Sequence, residues 1–400
     1  MKSLQSIRRF LGRIGPVLML ALMLTGCWDN LKVSEAHFVT AVGIDKGPDG
    51  LYEVTVEFPT PLLAGQNKER ARGGGEDQKS VDVATAKGDT FYTAGRNLSE
   101  KMARRIVPSK TELVLVSEQV ARDGLLEIFD FMERHQDTNM VANILLVKNA
   151  TVKEIMEAQS QQDKIPSQHI VKSIKVNQDN LGTTKEARII DILKDIAAPG
   201  RDPLLPAIEV EQETEPLKVK DLAITGSAML KDDKLVGYLD GFQTRSWLLV
   251  ENKGNNGLYS IPLAEAEGRF AVFELLSAKA TKKVEFLQEN KPKFIIDLKV
   301  TGNVGESQAS LDLTEPERKA SFEAQVARII REEIESTLIT SQQCQSDIFG
   351  FGNLIHKKHL AQWRKLQDNW DEIYSKAPYE IRVDVDVKRS GYTRKAPELK

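Results

Sequence analysis

The residue with the most sharply defined chemistry in this 400-residue sequence is Cys27, which follows Leu24-Thr25-Gly26. Small residues before a cysteine at the end of an apolar run suit the pocket of a lipoprotein signal peptidase, and the thiol is the group that accepts diacylglycerol. The apolar run, residues 14–24, is preceded by Lys2, Arg8, Arg9 and Arg13 and by no acid. It is about half as long as a membrane span requires, so residues 1–26 read as a cleaved signal peptide. An ordinary secretory signal with a chance cysteine is the alternative. Two acyl chains on one cysteine anchor stably, at about 0.8 kcal/mol per buried CH2. The expectation is a chain held at the extracytoplasmic face of a membrane by a covalent lipid on Cys27.

Elsewhere the residues that usually do chemistry are scattered. The five histidines are His37, His135, His169, His356 and His359, and none lies in a His-Glu-x-x-His pattern. His356 and His359 fall at i, i+3, but two ligands do not close a metal site, and Lys357-Lys358 between them opposes a cation. No Gly-x-Ser-x-Gly elbow and no Cys–His pair is evident. Cys344, in Ser341-Gln342-Gln343-Cys344-Gln345, reads as a free surface thiol. Gly73-Gly74-Gly75 lacks the Lys-Ser/Thr and helix start of a phosphate loop. No two acids stand out as a catalytic pair. Neither an enzyme nor a metal nor a dissociable cofactor is therefore expected.

Charge narrows the partners. Removing the four cations of residues 1–26 takes Lys+Arg from 55 to 51 against 58 acids, a net charge of −7. Such a surface disfavours nucleic acid, which needs basic patches to displace counterions. Lys101, Arg104, Arg105 and Lys110 form one local cationic cluster, read either as solvated side chains or as attracted to anionic headgroups. With Cys27 acylated, Cys344 has no partner, so disulfides do not hold the fold.

The elements that must position these residues alternate in type. Residues 39–44 and 52–58 read as a hairpin across Lys46-Gly47-Pro48-Asp49-Gly50, and residues 64–79 as a loop. Asp89 is placed to cap a helix with Phe91, Ala94, Leu98 and Met102 on one stripe. Residues 113–116 and 144–147 read as strands; 125–132, 151–175 and 184–197 as helical stretches. Pro199-Gly200, Pro203 and Pro206 suggest a boundary. Residues 223–230 and 235–239 form a second hairpin, and 242–250 a short helix. Long strands follow over 270–287 and 294–300. A helix then carries Phe322, Val326, Ile330 and Ile334, and another carries Leu360, Trp363, Leu366, Trp370 and Ile373. The chain closes on a strand over 379–387. Trp363 and Trp370, seven apart, share a helix face; core packing is the favoured reading and a partner-facing aromatic ridge the other. The fold class expected is mixed α/β and α+β: a three-domain ectodomain of sheets flanked by helices. Its parts are residues 27–206 (mixed α/β), 207–267 (small and β-rich) and 268–400 (α+β).

Several segments carry a resemblance. Cys27-Trp28-Asp29 followed by Val42-Gly43-Ile44-Asp45 resembles the start of the Ger(x)C, or GerAC-type, family, the lipoprotein C-subunits of bacterial spore germinant receptors. Gly95-Arg96-Asn97-Leu98 preceding a helix and the run from Glu112 to Gly124 agree, as do Gly226–Lys231 with Lys234–Leu239. Asp347-Ile348-Phe349-Gly350-Phe351-Gly352, with Trp363 and Trp370 downstream, resembles the family's C-terminal signature. Asn30-Leu31-Lys32-Val33-Ser34 departs from the family's Arg-Glu-Leu-like run.

The resemblance implies a three-domain, non-catalytic protein on the outer face of the inner spore membrane. It implies assembly with two integral-membrane partners, an A-subunit and a transporter-like B-subunit, in a complex that nutrients trigger. It gives Cys27 a chemical role. Trp28, Asp29, Gly43, Asp45, Asp347, Phe349, Gly350, Phe351, Gly352, Trp363 and Trp370 are structural or interface candidates, with Gly350 and Gly352 permitting tight backbone between two helices. The function expected is a scaffold or signal relay in that receptor. A solute-binding lipoprotein serving a transporter is the runner-up, disfavoured because such proteins have two similar lobes. An extracytoplasmic enzyme comes third.

Overall fold

The computed structural model describes residues 35–60, 81–158, 165–210, 222–254, 256–263, 266–287, 291–309 and 311–389. The signal peptide, Cys27, Trp28, Asp29 and the 64–79 loop lie outside these residues.

Short β1 (Ala36–Phe38) leads into β2 (Ala41–Lys46) and β3 (Tyr52–Pro59), then β4 (Val81–Gly88), helix α1 (Phe91–Lys101) and β5 (Arg105–Val107). Next come β6 (Leu113–Ser117), α2 (Glu118–Asp123), α3 (Leu126–Arg134) and β7 (Asn143–Val147). Helices α4 (Val152–Glu157), α5 (Pro166–Asn180) and α6 (Ile189–Ala197) precede β8 (Leu204–Val210), β9 (Leu222–Lys231) and β10 (Lys234–Leu239). One sheet takes eight of these strands in the order β10-β9-β8-β7-β6-β2-β3-β4. Its centre, β2-β6-β7-β8, is parallel and both flanks are antiparallel. β1 and β5 pair separately, in parallel.

The strand sequences explain this layering. Leu113-Val114-Leu115-Val116 is buried throughout, as a parallel strand covered on both faces must be. Val114 and Val116 face one core with α2, α3 and α6, whereas Leu113 and Leu115 face another with α4 and α5. A third core lies under α1 against β3 and β4. The N-cap of α1 is Thr90, not Asp89: the Thr90 side chain accepts from Thr93 N–H, and Thr93 reciprocates. Gly95-Arg96-Asn97-Leu98 lies inside α1 and does not precede it.

After β10 come α7 (Gly241–Val250), β11 (Leu258–Pro262), β12 (Phe270–Phe286) and β13 (Pro292–Ser307). Helices α8 (Pro316–Gln343), α9 (Phe351–Lys358), α10 (Leu360–Leu366) and α11 (Trp370–Lys376) then precede β14 (Tyr379–Arg389). The second large sheet has the order β11-β12-β13-β14, with β14 parallel to β13. The stripe Phe322, Val326, Ile330 and Ile334 is fully buried against it.

Three expectations meet corrections here. The described residues of 207–267 form no sheet of their own: β8, β9 and β10 complete the eight-stranded sheet, while β11 belongs to the four-stranded one. Leu204, Met229 and Leu239 lie in the same core as the C-terminal helices, so the two sheets share their packing. The expected helix through Leu360 and Ile373 is broken by a 3-10 turn at Gln367–Asn369. His359 leaves helical geometry at φ −139°, ψ +57°, between α9 and α10, so His356 and His359 do not share a helix face. Among the described residues no helix is long and apolar enough to cross a membrane.

Candidate functional site

The residues from Asp347 to Gly352 connect α8 to α9 and lie on the seam between the two sheets. Gln345 turns the chain at φ +54°, and Gly350 sits at φ +65°, ψ +39°, as N-cap of α9. A side chain at Gly350 would be strained in this left-handed conformation and would also press on Arg201, whose Nη1 is 2.9 Å from the ideal Cβ position. The cap is supplied from further back. Asp347 Oδ1 accepts from Phe351 N–H (3.0 Å), and Oδ2 accepts from Gly352 N–H (2.8 Å) and Trp370 Nε1–H (3.2 Å). One buried carboxylate thus satisfies two orphan donors of α9 and a core indole.

Gly352 and Gly200 bring two distant backbones together. An added Cβ on Gly352 would meet Gly200 Cα at 2.8 Å and Trp370 Nε1 at 2.7 Å; one on Gly200 would meet Gly352 Cα at 2.7 Å and Trp363 at 2.5 Å. Asn353 fastens the approach by donating its N–H to Gly200 O (3.0 Å) and its amide to Pro199 O (3.2 Å).

Around this contact runs a partly buried chain of charge. Asp347 N–H donates to Asp202 Oδ2 (2.7 Å), and Asp202 N–H donates to Asp347 O (3.0 Å). Asp202 also accepts from Asp232 N–H in the β9–β10 turn (2.9 Å) and pairs with Lys231 (3.3 Å), which pairs with Asp371 (2.5 Å). Arg201 donates to Asp195 (2.6 Å) and Glu251 (3.0 Å). Glu251 is shared with Lys282, which also donates to Phe349 O. Burial pushes Asp347 up to about 7; the nearby Asp202 charge adds to this, and the N–H groups of Gly352 and Phe351 oppose it. Burial alone would raise Glu251 too, but Lys282 and Arg201 outweigh it and hold Glu251 below its usual range. Beside them, burial pushes Lys185 down to about 7, with Lys253 adding to the shift. Its Nζ donates to Leu204 O (2.6 Å) and lies 4.9 Å from the Trp247 ring.

Aromatic rings close the site from the C-terminal side. Phe351 stacks on Phe294 at 4.2 Å, Trp363 meets Trp370 edge-on at 5.4 Å, and Phe349 is fully buried beside them. Trp247 Nε1–H, from α7, donates to Ile348 O (2.9 Å). Trp363 and Trp370 are therefore core residues, although a 3-10 turn separates their helices.

Seven of the sequence's candidates thus come together: Asp347, Phe349, Gly350, Phe351, Gly352, Trp363 and Trp370. Gly43 and Asp45 do not join them. They seat α4 on β2: a Cβ on Gly43 would collide with Val152 Cγ1 at 2.1 Å, and Asp45 Oδ2 accepts from Val152 N–H (3.4 Å). Cys344 is free, as expected, but is half-buried rather than on the open surface; its Sγ lies 3.7 Å from Val236 O. The residues that reasoning from sequence did not single out are Gly200, Arg201, Asp202, Lys231, Glu251 and Lys282. Their one local signal, the Pro-Gly-Arg-Asp-Pro run at 199–203, reads as a boundary.

The arrangement is a lock. Asp347 is buried and both of its oxygens accept from N–H donors of the fold, so it serves the packing and is not presented to a substrate. No group of three metal-ligating side chains occurs among the described residues.

Comparison with known proteins follows this geometry. Residues 29–210 match the family model described as the spore germination protein N-terminal domain, and residues 225–391 that described as spore germination B3/GerAC-like, C-terminal. Spore germination protein KC of Bacillus subtilis (strain 168) is 25% identical over 398 residues, covering 94% of each chain. Spore germination protein GerQC of Bacillus cereus is 21% identical, over 94% of this chain and 98% of its own. The crystal structure of the GerBC protein superposes with a TM-score of 0.53 at 16% identity, over 86% of this chain and 96% of that one.

Proposed function

This chain belongs to the GerAC-type family of spore germination proteins, and from that premise we propose that it is the lipid-anchored C-subunit of a nutrient germinant receptor. In this reading Cys27 carries the lipid and the ectodomain stands on the outer face of the inner spore membrane. The protein acts there without catalysis, as scaffold or relay for an A-subunit and a B-subunit embedded in the bilayer.

The observation that carries the reading is the pair of family matches, which run in order over nearly the whole chain. The seam adds physical support. Its charges and glycines are consumed in joining two sheets, which suits a body that transmits position and not one that turns over substrate. The two sheets are also unlike, eight strands against four, where a hinged solute binder has similar lobes.

Mild detergent extraction with a tag on this chain should recover two polytopic proteins. Recovering neither from gently solubilised spore membranes would count against the receptor role. Cys27→Ala should abolish metabolic labelling with palmitate and release the chain from the membrane fraction; unchanged retention would refute the anchor.

A further inference from the structure

We propose that the open cavity beside the N-terminal strand binds an anionic amphiphile, with an apolar tail in the cavity and the negative head on its arginine rim. The cavity lies between α1, β5 and the β2–β3 face and has a volume of about 740 Å³. That is within the roughly 300–1,000 Å³ usual for small-molecule sites. Its floor, Val39, Val54, Val56 and Leu98, is closed to water, while Met102 and Ile106 on its wall are half-exposed.

Charge names the head. The charged residues bordering the cavity are Arg96, Arg104, Arg105 and Asp137, so the rim is net positive. Among the described residues, none of these arginines has an acid within ion-pair distance, whereas Arg122, Arg134, Arg201 and Arg245 each have one. Guanidinium groups left without a carboxylate beside an apolar wall suit a phosphate or carboxylate on a hydrocarbon tail. Lys101, from the same cationic cluster, is turned away and donates to Thr85 O (2.8 Å).

Gly95 is the second, independent observation. It stands inside α1, where glycine weakens a helix, and it borders the cavity. A Cβ built there meets nothing within 4 Å. Unlike Gly200 and Gly352, which make room for backbone, Gly95 keeps space open.

The source of the amphiphile rests on the anchored reading above. β1 begins nine residues after Cys27. Nine extended residues span at most about 30 Å, so lipidation of Cys27 would hold the cavity near the bilayer. Membrane phospholipid and free fatty acid share the required chemistry.

The full chain in phosphatidylcholine nanodiscs would be exposed to traces of phosphatidylglycerol, phosphatidylcholine or palmitate, each with the same photoactivatable tail. Cross-linked peptides are then mapped by mass spectrometry. Labelling should concentrate within residues 91–108 and be several-fold stronger for an anionic probe than for phosphatidylcholine. Phosphatidylglycerol labelling alone assigns the ligand to the membrane; palmitate alone assigns it to free acid. The double variant Arg104→Glu/Arg105→Glu should lose most of the anionic labelling and keep the phosphatidylcholine background. Gly95→Leu fills the space without changing charge and should reduce labelling by every probe in this segment, with unchanged circular dichroism. Equal labelling by charged and zwitterionic probes, labelling elsewhere only, or undiminished labelling of folded Gly95→Leu would overturn the proposal. Partner recovery is read in parallel. Absent labelling with both polytopic partners recovered defeats this site alone, and lost partners with labelling intact defeats the receptor role alone.

Discussion

The eight-stranded sheet ends in two unlike places. At its β10-β9-β8 end it meets the C-terminal helices, and there Asp202, Asp347, Arg201 and Glu251 all have bonded partners. At its β2-β3-β4 end it lies under α1 beside a cavity rimmed by arginines that have no carboxylate partner among the described residues. Glycine serves both ends in opposite ways: Gly200 and Gly352 permit contact, whereas Gly95 preserves a gap. The contrast separates residues spent on holding the fold from residues left available to something outside it.

The largest effects are expected at the seam. Glu251→Ala leaves Arg201 and Lys282 partly buried without their shared carboxylate and should cost about 3–5 kcal/mol in denaturant unfolding of the full chain. A loss below that of an exposed pair such as Lys376–Glu372 would show that the seam is not a lock.

The pH dependence should also localise to the seam. Asp347 has its folded pKa raised to about 7 from 3.8, so the native state binds the extra proton across that window. Its contribution is fully present below the unfolded pKa and is lost as pH rises through about 7. Lys185, lowered to about 7 from 10.5, works in the opposite sense, restoring stability as pH rises from about 7. Thermal melts across pH 4–7, where Lys185 is charged in both states and adds no slope, should therefore rise toward acid in Lys185→Met as in the parent chain, and lose that acid-side gain when Asp347→Asn is added. Parallel curves for the single and double variants would remove Asp347 as the cause.

One matched substitution tests the two ends directly. Gly352→Ala should destabilise by about 1–3 kcal/mol, because its Cβ meets backbone that cannot move aside. Gly95→Ala should stabilise by about 0.4–1 kcal/mol, since the new methyl meets nothing and the unfolded chain loses freedom. Urea midpoints that shift in the same direction for both would erase the distinction.

Much of this was legible in the sequence, for physical reasons. The run Leu113–Val116 announces a strand covered on both faces, and Phe322, Val326, Ile330 and Ile334 announce one buried helix stripe. The cluster from Asp347 to Gly352 with two tryptophans was visible as a group through its resemblance to the family's C-terminal signature, with Gly350 and Gly352 permitting tight backbone. Its other half was not. Asp202 meets Asp347 across 145 residues, and a proline- and glycine-rich run looks the same whether it ends a domain or crosses a core. Nor does alternation say which sheet a strand joins, so the β9–β10 hairpin looked like part of a separate unit, and β8 was hidden by Pro203 and Pro206, which read as a boundary. The cavity left only indirect traces, Arg104 and Arg105 in the cationic cluster and Gly95-Arg96 in a family-like motif, since an empty volume has no residue of its own.

The pairing of β8 with β9 has a consequence in time. The two matched modules meet between residues 210 and 225, yet these strands on either side of the join are hydrogen-bonded neighbours. A chain emerging from its N-terminus presents β8 as a raw sheet edge until β9 follows, and Leu204 stays uncovered until the C-terminal helices arrive. The first module finishes folding only when the second is nearly complete, so a truncation at their boundary should yield an aggregating fragment and not a smaller working protein.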